Sequence, residues 1–276
     1  MKRADLTITK DGRRSLQKQG FVRFRADQLI TNPVFDAEFL KLRRAAASLP
    51  IDHTDQAAGR SRQYGRLVHL PWTGEEYPVP PRRYEHSGEF GLEYTQPASV
   101  NSEGGGVRRI FASLPPALYR NLALRSFIST FRAMLPLPSD IRAEASQIGV
   151  HLIKLEAAAG QFAKATPNLV HRDGEPFTAA VLLDRLGASG GENVITRPKW
   201  HDHPIEDVSP EDILARFTLE QPGDSYIVQD DAVAHYVGPV GCEPAVGRGI
   251  RTVLLLDYTP LRPAIVMTGM EPPLAA

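Results

Sequence analysis

Three side chains of this 276-residue sequence stand in an order that suits redox metal chemistry: His171 and Asp173, within His171-Arg172-Asp173-Gly174, and His235 further on. Two imidazoles and one carboxylate hold a divalent iron on one face and leave the opposite face open for co-substrate and oxygen. On an extended segment, residues i and i+2 point to the same side. His-x-Asp therefore delivers two ligands together and turns Arg172 away. Beyond His235, Arg251 stands at the head of TVLLLDY, the most apolar strand candidate of the chain. A charge there needs a partner. A planar guanidinium suits two-point capture of a carboxylate, such as the distal one of 2-oxoglutarate. Arg248, in a loop between Gly247 and Gly249, is the rival for that role.

His-x-Asp is weak evidence by itself, because His53-Thr54-Asp55 also satisfies it. Context separates the two. His53 and Asp55 lie in a polar stretch ahead of any strand pattern, whereas His171 and Asp173 close an apolar segment and lead into the strand candidate Thr178–Leu183. A third cluster, His201-Asp202-His203, sits in the charged, Pro-flanked run RPKWHDHPIED and reads as a surface loop.

The elements that must position these residues follow from periodicity and punctuation. Gly20–Phe24 reads as a short strand, and Asp36–Leu49 as a helix with apolar residues at helical spacing. Pro116–Leu135 is the clearest helix, stopped by Pro136 and Pro138. The Pro-, Gly- and Arg-rich run from Pro50 to Gly106 reads as irregular connections or short strands. From Ile148 on, short strands alternate with turn signals: Ile148–Leu155, Leu169–His171, Thr178–Leu183, Asn193–Thr196, Ser225–Gln229 and Thr252–Tyr258. The expected class is α+β with a mainly β core. Many short strands at such spacing point to a sandwich or barrel, of which the double-stranded β-helix (the jelly roll, cupin-like) is one member, with N-terminal helices packed on it. A single domain over 1–276 is expected, mainly helical over 1–147, with the metal-bearing jelly roll over 148–265.

Composition sets outer limits. Lys+Arg and Asp+Glu balance at 32 each, which gives no basic excess for a nucleic acid. One cysteine, Cys242, allows neither an internal disulfide nor a Cys-rich zinc site. No apolar leader or 18-residue apolar run is found, so neither a secretory signal nor a membrane span is expected, and the expected location is the cytoplasm.

Three runs, NLVHRDGEPFTAAVLLDRLGASGGENVI, PGDSYIVQDDAVAHYVGPV and GRGIRTVLLLDY, resemble the bacterial 2-oxoglutarate/Fe(II) dioxygenase family that includes the L-isoleucine and other amino-acid hydroxylases. The resemblance covers Gly149–Tyr258 and includes the turn Gly190-Gly191-Glu192-Asn193 and the acidic pair Asp230-Asp231. It implies iron ligands at His171, Asp173 and His235, 2-oxoglutarate on Arg251, and Fe(II), 2-oxoglutarate and O2 as the cofactor set. It further implies hydroxylation of an aliphatic C–H in a free or N-modified L-amino acid, with release of succinate and CO2. Asp173 fills the position a halide would need, which favours hydroxylation over halogenation. A small acid needs a cationic anchor, and the run Arg60–Arg66 offers Arg62 and Arg66. The insert Arg197–Leu219 departs from the resemblance and is a candidate lid or contact for a homodimer. Two other classes stay open: an oxygenase acting on a protein or carrier-tethered amino acid, and a cupin-like metal protein that never uses 2-oxoglutarate.

Overall fold

Three long, apolar strands pair side by side at the centre of the molecule: β7 (Ser146–Ala158), β8 (Phe177–Leu186) and β15 (Arg248–Pro260), with β15 in the middle. The computed structural model describes residues 3–25, 33–52, 59–84, 90–102, 105–164 and 168–261. Beside β7 lie β2 (Arg60–Leu70) and β3 (Glu75–Pro78). Beside β8 lie β12 (Asp224–Gln229) and β1 (Phe21–Arg25). The result is a seven-stranded antiparallel sheet in the order β1-β12-β8-β15-β7-β2-β3.

Alternation along these strands separates two cores. Leu254, Leu256 and Tyr258 of β15, Ile148, Val150 and Leu152 of β7, and Ala179, Val181 and Leu183 of β8 meet a helical layer. That layer consists of α1 (Arg3–Gln19), α2 (Pro33–Ala47) and α3 (Leu122–Met134), which contribute Leu16, Phe35, Phe39, Phe127 and Phe131. The opposite parity, with Val253, Ile153, Leu155, Ala180 and Leu182, packs on Ile195, Phe217 and Val240 of a smaller layer. These three belong to β10 (Glu192–Thr196), β11 (Ile213–Thr218) and β14 (Val240–Cys242). The sheet β11-β10-β13, with β13 spanning Ala234–Val237, and the pair of β9 (Ala188–Gly190) with β14 make up that layer. Two facing sheets with helices outside form the expected jelly roll. A third small sheet, β4 (Arg82–Arg83), β5 (Phe90–Tyr94) and β6 (Arg109–Ala112), stands near β2. No helix among the described residues is long and apolar enough to cross a membrane.

Several elements differ from expectation. The helix expected from Pro116 begins at Leu122, because Asn121 caps it by accepting from the Leu124 N–H at 2.9 Å, and a 3-10 turn at Leu118–Arg120 precedes it. The portion before residue 148 supplies helices, but β1, β2 and β3 of the large sheet come from it as well, so the sheet runs across that division. The 11-residue β2 falls where irregular connections or short strands were expected. Its residues Arg60 and Arg62 line a polar cavity, so apolar alternation never marks it. The insert Arg197–Leu219 is built into the fold. It forms 3-10 turns at Pro198–Trp200, Ile205–Asp207 and Pro210–Asp212, then β11, which pairs with β10.

Phe127 packs edge-on against Phe35 and Phe39, with ring centres 5.4 and 5.5 Å away. Phe127→Ala is expected to lower stability by about 3–5 kcal/mol, read as a fall in the urea midpoint. Leu40→Ala, on the exposed face of α2, is expected to stay within about 0.5 kcal/mol.

Candidate metal centre

His171, Asp173 and His235 converge, with their potential ligand atoms all within 4.8 Å of one another. The Asp173 carboxylate lies between the two rings, 3.8 Å from His171 Nε2 and 3.5 Å from His235 Nε2. Main-chain pairing brings the two histidines together. His171 N–H donates to the His235 carbonyl and His235 N–H to the His171 carbonyl, both at 2.9 Å, as one antiparallel bridge on the edge of β13. The segment Leu169–His171 is thus a series of single bridges and not the regular strand expected of it.

Neighbouring groups hold each of the three side chains in place. His171 Nδ1 lies 3.2 Å from the Leu169 carbonyl, which leaves Nε2 directed at Asp173. Burial, then the neighbouring His235, depresses the His171 pKa to about 4, so its ring is neutral at pH 7. Burial alone would raise the Asp173 pKa, but attraction to His235 and His171 brings it below the ordinary carboxylate value. Asp230 locks the turn by accepting from the Asp173 N–H at 2.7 Å and the Gly174 N–H at 3.1 Å. Arg172, turned away from the metal side, donates from Nε to the Asp230 carbonyl at 2.6 Å. Gly174 has φ +88°, where a side chain is strained, and a Cβ there would come within 2.8 Å of Val100.

The insert braces the same residues from beneath. Val170 and Ala234, which precede the two histidines, pack with Val208, Trp200, Ile205 and Ile213. Asp202 N–H donates to the Val170 carbonyl and Val170 N–H to the His203 carbonyl. Within the insert, the buried Asp212 gathers Lys199, Arg197 and the Trp200 indole N–H. His201 and His203 serve this bracing: their ring nitrogens lie 2.9 Å from the Val100 and His201 carbonyls, respectively. Among the described residues, only His171, Asp173 and His235 make a metal-holding group. His53 and Asp55 lie outside the described residues.

Arg251 is the fourth residue of β15, and its parity turns it into the space between the sheets. It is 3% exposed, no carboxylate pairs with it among the described residues, and its Nε has no hydrogen-bond partner. Burial lowers its pKa to about 10, which still leaves a full cation at pH 7. Gly191, at φ +70°, makes room for it, since a Cβ there would lie 3.1 Å from Arg251 Cδ. Arg248 is spent on an exposed ion pair with Glu156 at 2.7 Å.

Beside His171 and Asp173 opens a small cavity of about 80 Å³. Arg62 lines it, but Arg66 lies in a separate surface hollow with Arg82 and Tyr84, so only the first of the two expected anchors reaches the site. Arg62 is held in place by a chain of groups. Its Nη2 donates to His151 Nδ1 at 2.6 Å, His151 Nε2 donates to Asp257 at 3.0 Å, and Asp257 also accepts from the Gly149 N–H. Tyr64 stacks on the His151 ring, with centres 4.2 Å apart. Arg109, Tyr94 and Glu175 complete this wall. Burial, then the charges of Asp257 and Asp173, pushes the Glu175 carboxyl well above its ordinary pKa, and a cation placed beside it would restore its charge. His151 and Asp257 carried a readable signal, as polar residues on the inward parity of apolar strands. Arg109 and Tyr94 carried none.

A jelly roll that gathers two histidines and a carboxylate, with a buried arginine turned between its sheets, has the donor set that suits non-haem iron. The model of the 2OG-Fe dioxygenase family matches residues 43–257, and the chain belongs to that family. It is therefore an oxygenase that uses Fe(II), 2-oxoglutarate and O2, which removes the reading as a cupin-like protein without 2-oxoglutarate. Among solved structures, the fold is similar to a bsmA homologue from Methylobium petroleophilum PM1, with TM-score 0.71 and 21% identity over 91% of this chain and 93% of that one. It is similar to the Fe(II)/α-ketoglutarate-dependent dioxygenase TqaL, with TM-score 0.69 and 13% identity over 93% and 88%. IDO from Bacillus thuringiensis follows, with TM-score 0.66 and 17% identity over 92% and 99%. No curated protein matches the sequence.

His151 supplies a pH test. Burial first, then Arg62, depresses its pKa from the ordinary 6.5 to about 4, so the folded protein holds it neutral. The unfolded chain binds that proton from pH 6.5 downward, while the folded chain does not until about pH 4. Stability is therefore expected to fall as pH drops through this window, by up to about 1.4 kcal/mol per unit from this residue. Urea midpoints of wild type and His151→Gln at pH 7 and 5 check it, and the variant should show the shallower slope.

Proposed function

We propose that the chain hydroxylates an aliphatic C–H of a small, amino-acid-like substrate. In this reading iron is held by His171, Asp173 and His235, and the distal carboxylate of 2-oxoglutarate by Arg251. One observation carries the proposal: a His-Asp-His group with both histidines buried stands beside a cavity lined by arginine, while a second buried arginine faces inward without a carboxylate partner. The donor set fits the metal, with two ring nitrogens and one carboxylate in place. The unpaired Nε of Arg251 fits an anionic co-substrate.

Bound there, Fe(II) with 2-oxoglutarate activates O2, so that one oxygen atom enters a substrate C–H bond and the other enters succinate as CO2 leaves. The chain's own residues supply geometry and a dry site. Leu169 orients the His171 ring, Asp230 fixes the Asp173 turn, and Arg251 holds the co-substrate in one register. Arg62, steadied by His151 and Asp257, offers a cation to the substrate's carboxylate. The depth of Arg62, which is 8% exposed, favours a small acid over a protein segment.

Succinate release by the Fe(II)-loaded protein, screened over free and N-acylated L-amino acids with mass detection of a +16 product, tests the proposal. Absence of any substrate-stimulated succinate would sink it. Arg251→Gln is expected to raise the 2-oxoglutarate requirement about 10- to 100-fold, while Arg248→Gln leaves it unchanged. Asp230→Ala strips two N–H groups of their acceptor and is expected to weaken Co(II) binding about 10- to 100-fold in a titration.

A further inference from the structure

The cavity wall beside the candidate metal centre has charged side chains with atoms still open at two places. Arg62 Nε and Arg109 Nε are buried without hydrogen-bond partners, and so is Glu175 Oε2. All three residues line the same cavity as His171 and Asp173. Tyr94 stands between the two kinds of group. The Arg62 and Arg109 guanidiniums lie 5.5 and 5.0 Å from its ring centre, and its hydroxyl donates to Glu175 Oε1 at 3.1 Å. Thr178 Oγ1, on the same wall, is also without a partner but carries no charge, and the other charged groups here are paired. Asp257 accepts from Gly149 and His151, Gln96 Oε1 accepts from Arg109 Nη2 and Asn101, and Arg60 pairs with Asp52 at 2.8 Å. Apart from the metal-facing Asp173, Glu175 thus keeps the open acidic oxygen of the wall, a tyrosine's length from two guanidiniums.

We infer that this wall selects an unmodified α-amino acid by both of its charges, with Arg62 and Arg109 taking the carboxylate and Glu175 the free ammonium. The inference rests on the amino-acid reading above and narrows it. N-acylation replaces the ammonium by a bulkier neutral amide and leaves Glu175 Oε2 without a charged donor. Attachment to a carrier removes the carboxylate and leaves the Arg62 and Arg109 guanidiniums unanswered. A buried group robbed of its partner costs enough to discriminate by an order of magnitude or more. Arg109 joins Arg62 as a specificity residue because the guanidiniums flank one ring and face one space.

Calorimetric titration of the protein loaded with Mn(II) and 2-oxoglutarate decides this without turnover. The probes are L-valine, L-leucine and L-isoleucine, their N-acetyl derivatives, and the matching carboxylic acids that lack the amino group. At least one free amino acid should bind at least tenfold more tightly than both of its counterparts. Glu175→Gln should bring that amino acid down to the level of its deamino acid while leaving the deamino acid unchanged. Arg109→Gln should weaken both. Retained Mn(II) and 2-oxoglutarate binding reports folded variants, and the wild-type comparison stands without them. Equal or tighter binding of the N-acetyl form, or equal loss of both probes in Glu175→Gln, overturns the inference and leaves amino-acid hydroxylation standing. If no carboxylate probe binds while Mn(II) and 2-oxoglutarate do, the amino-acid reading itself falls, and the inference with it.

Discussion

Two main-chain hydrogen bonds between His171 and His235 are the constraint on which the site depends. Each residue gives its N–H to the other's carbonyl, so the ligands from separate segments meet at a distance set by strand pairing. The bridge lies on the edge of β13 opposite β10. Asp173 then reaches the same point because Asp230 holds the turn that follows His171. Much of the smaller layer exists to keep this edge still: the insert lies beneath Val170 and Ala234, and Asp212 gathers the insert.

The space between the sheets is apolar near Ile153, Ile195 and Phe217 and strongly polar toward the cavity. Burying Arg251, Arg62, His151 and Asp257 opposes folding unless each finds a partner. The chain from Asp257 through His151 to Arg62 satisfies most of these groups internally. Arg251 and the cavity-facing atoms of Arg62, Arg109 and Glu175 are left open. Stability and function are thus divided along the parity of three strands. Even-numbered residues of β15 pack on helices, while Leu255 and Asp257 line the cavity and Arg251 turns into the space between the sheets.

Local rules located the apolar strands and the helices to within a few residues, because burial on one face imposes a period that any window of the chain reveals. They passed over β2, whose inward residues line a polar cavity, and α1, whose helicity depends on packing. They also paired Arg66 with Arg62 as a substrate anchor, although four positions along a strand separate the two into different hollows.

By itself the sequence determined a mainly β core of short strands, the order of His171, Asp173, His235 and Arg251, and the chemistry these residue types permit. All of these are properties of residue type and local spacing. Tertiary structure alone decided that the two histidines share one bridge, that Arg248 is spent on Glu156, and that Arg109, Tyr94 and Glu175 join Arg62 around one cavity. Those contacts join distant parts of the chain through sheet register and loop packing, and no local window of sequence encodes which distant residue will be opposite.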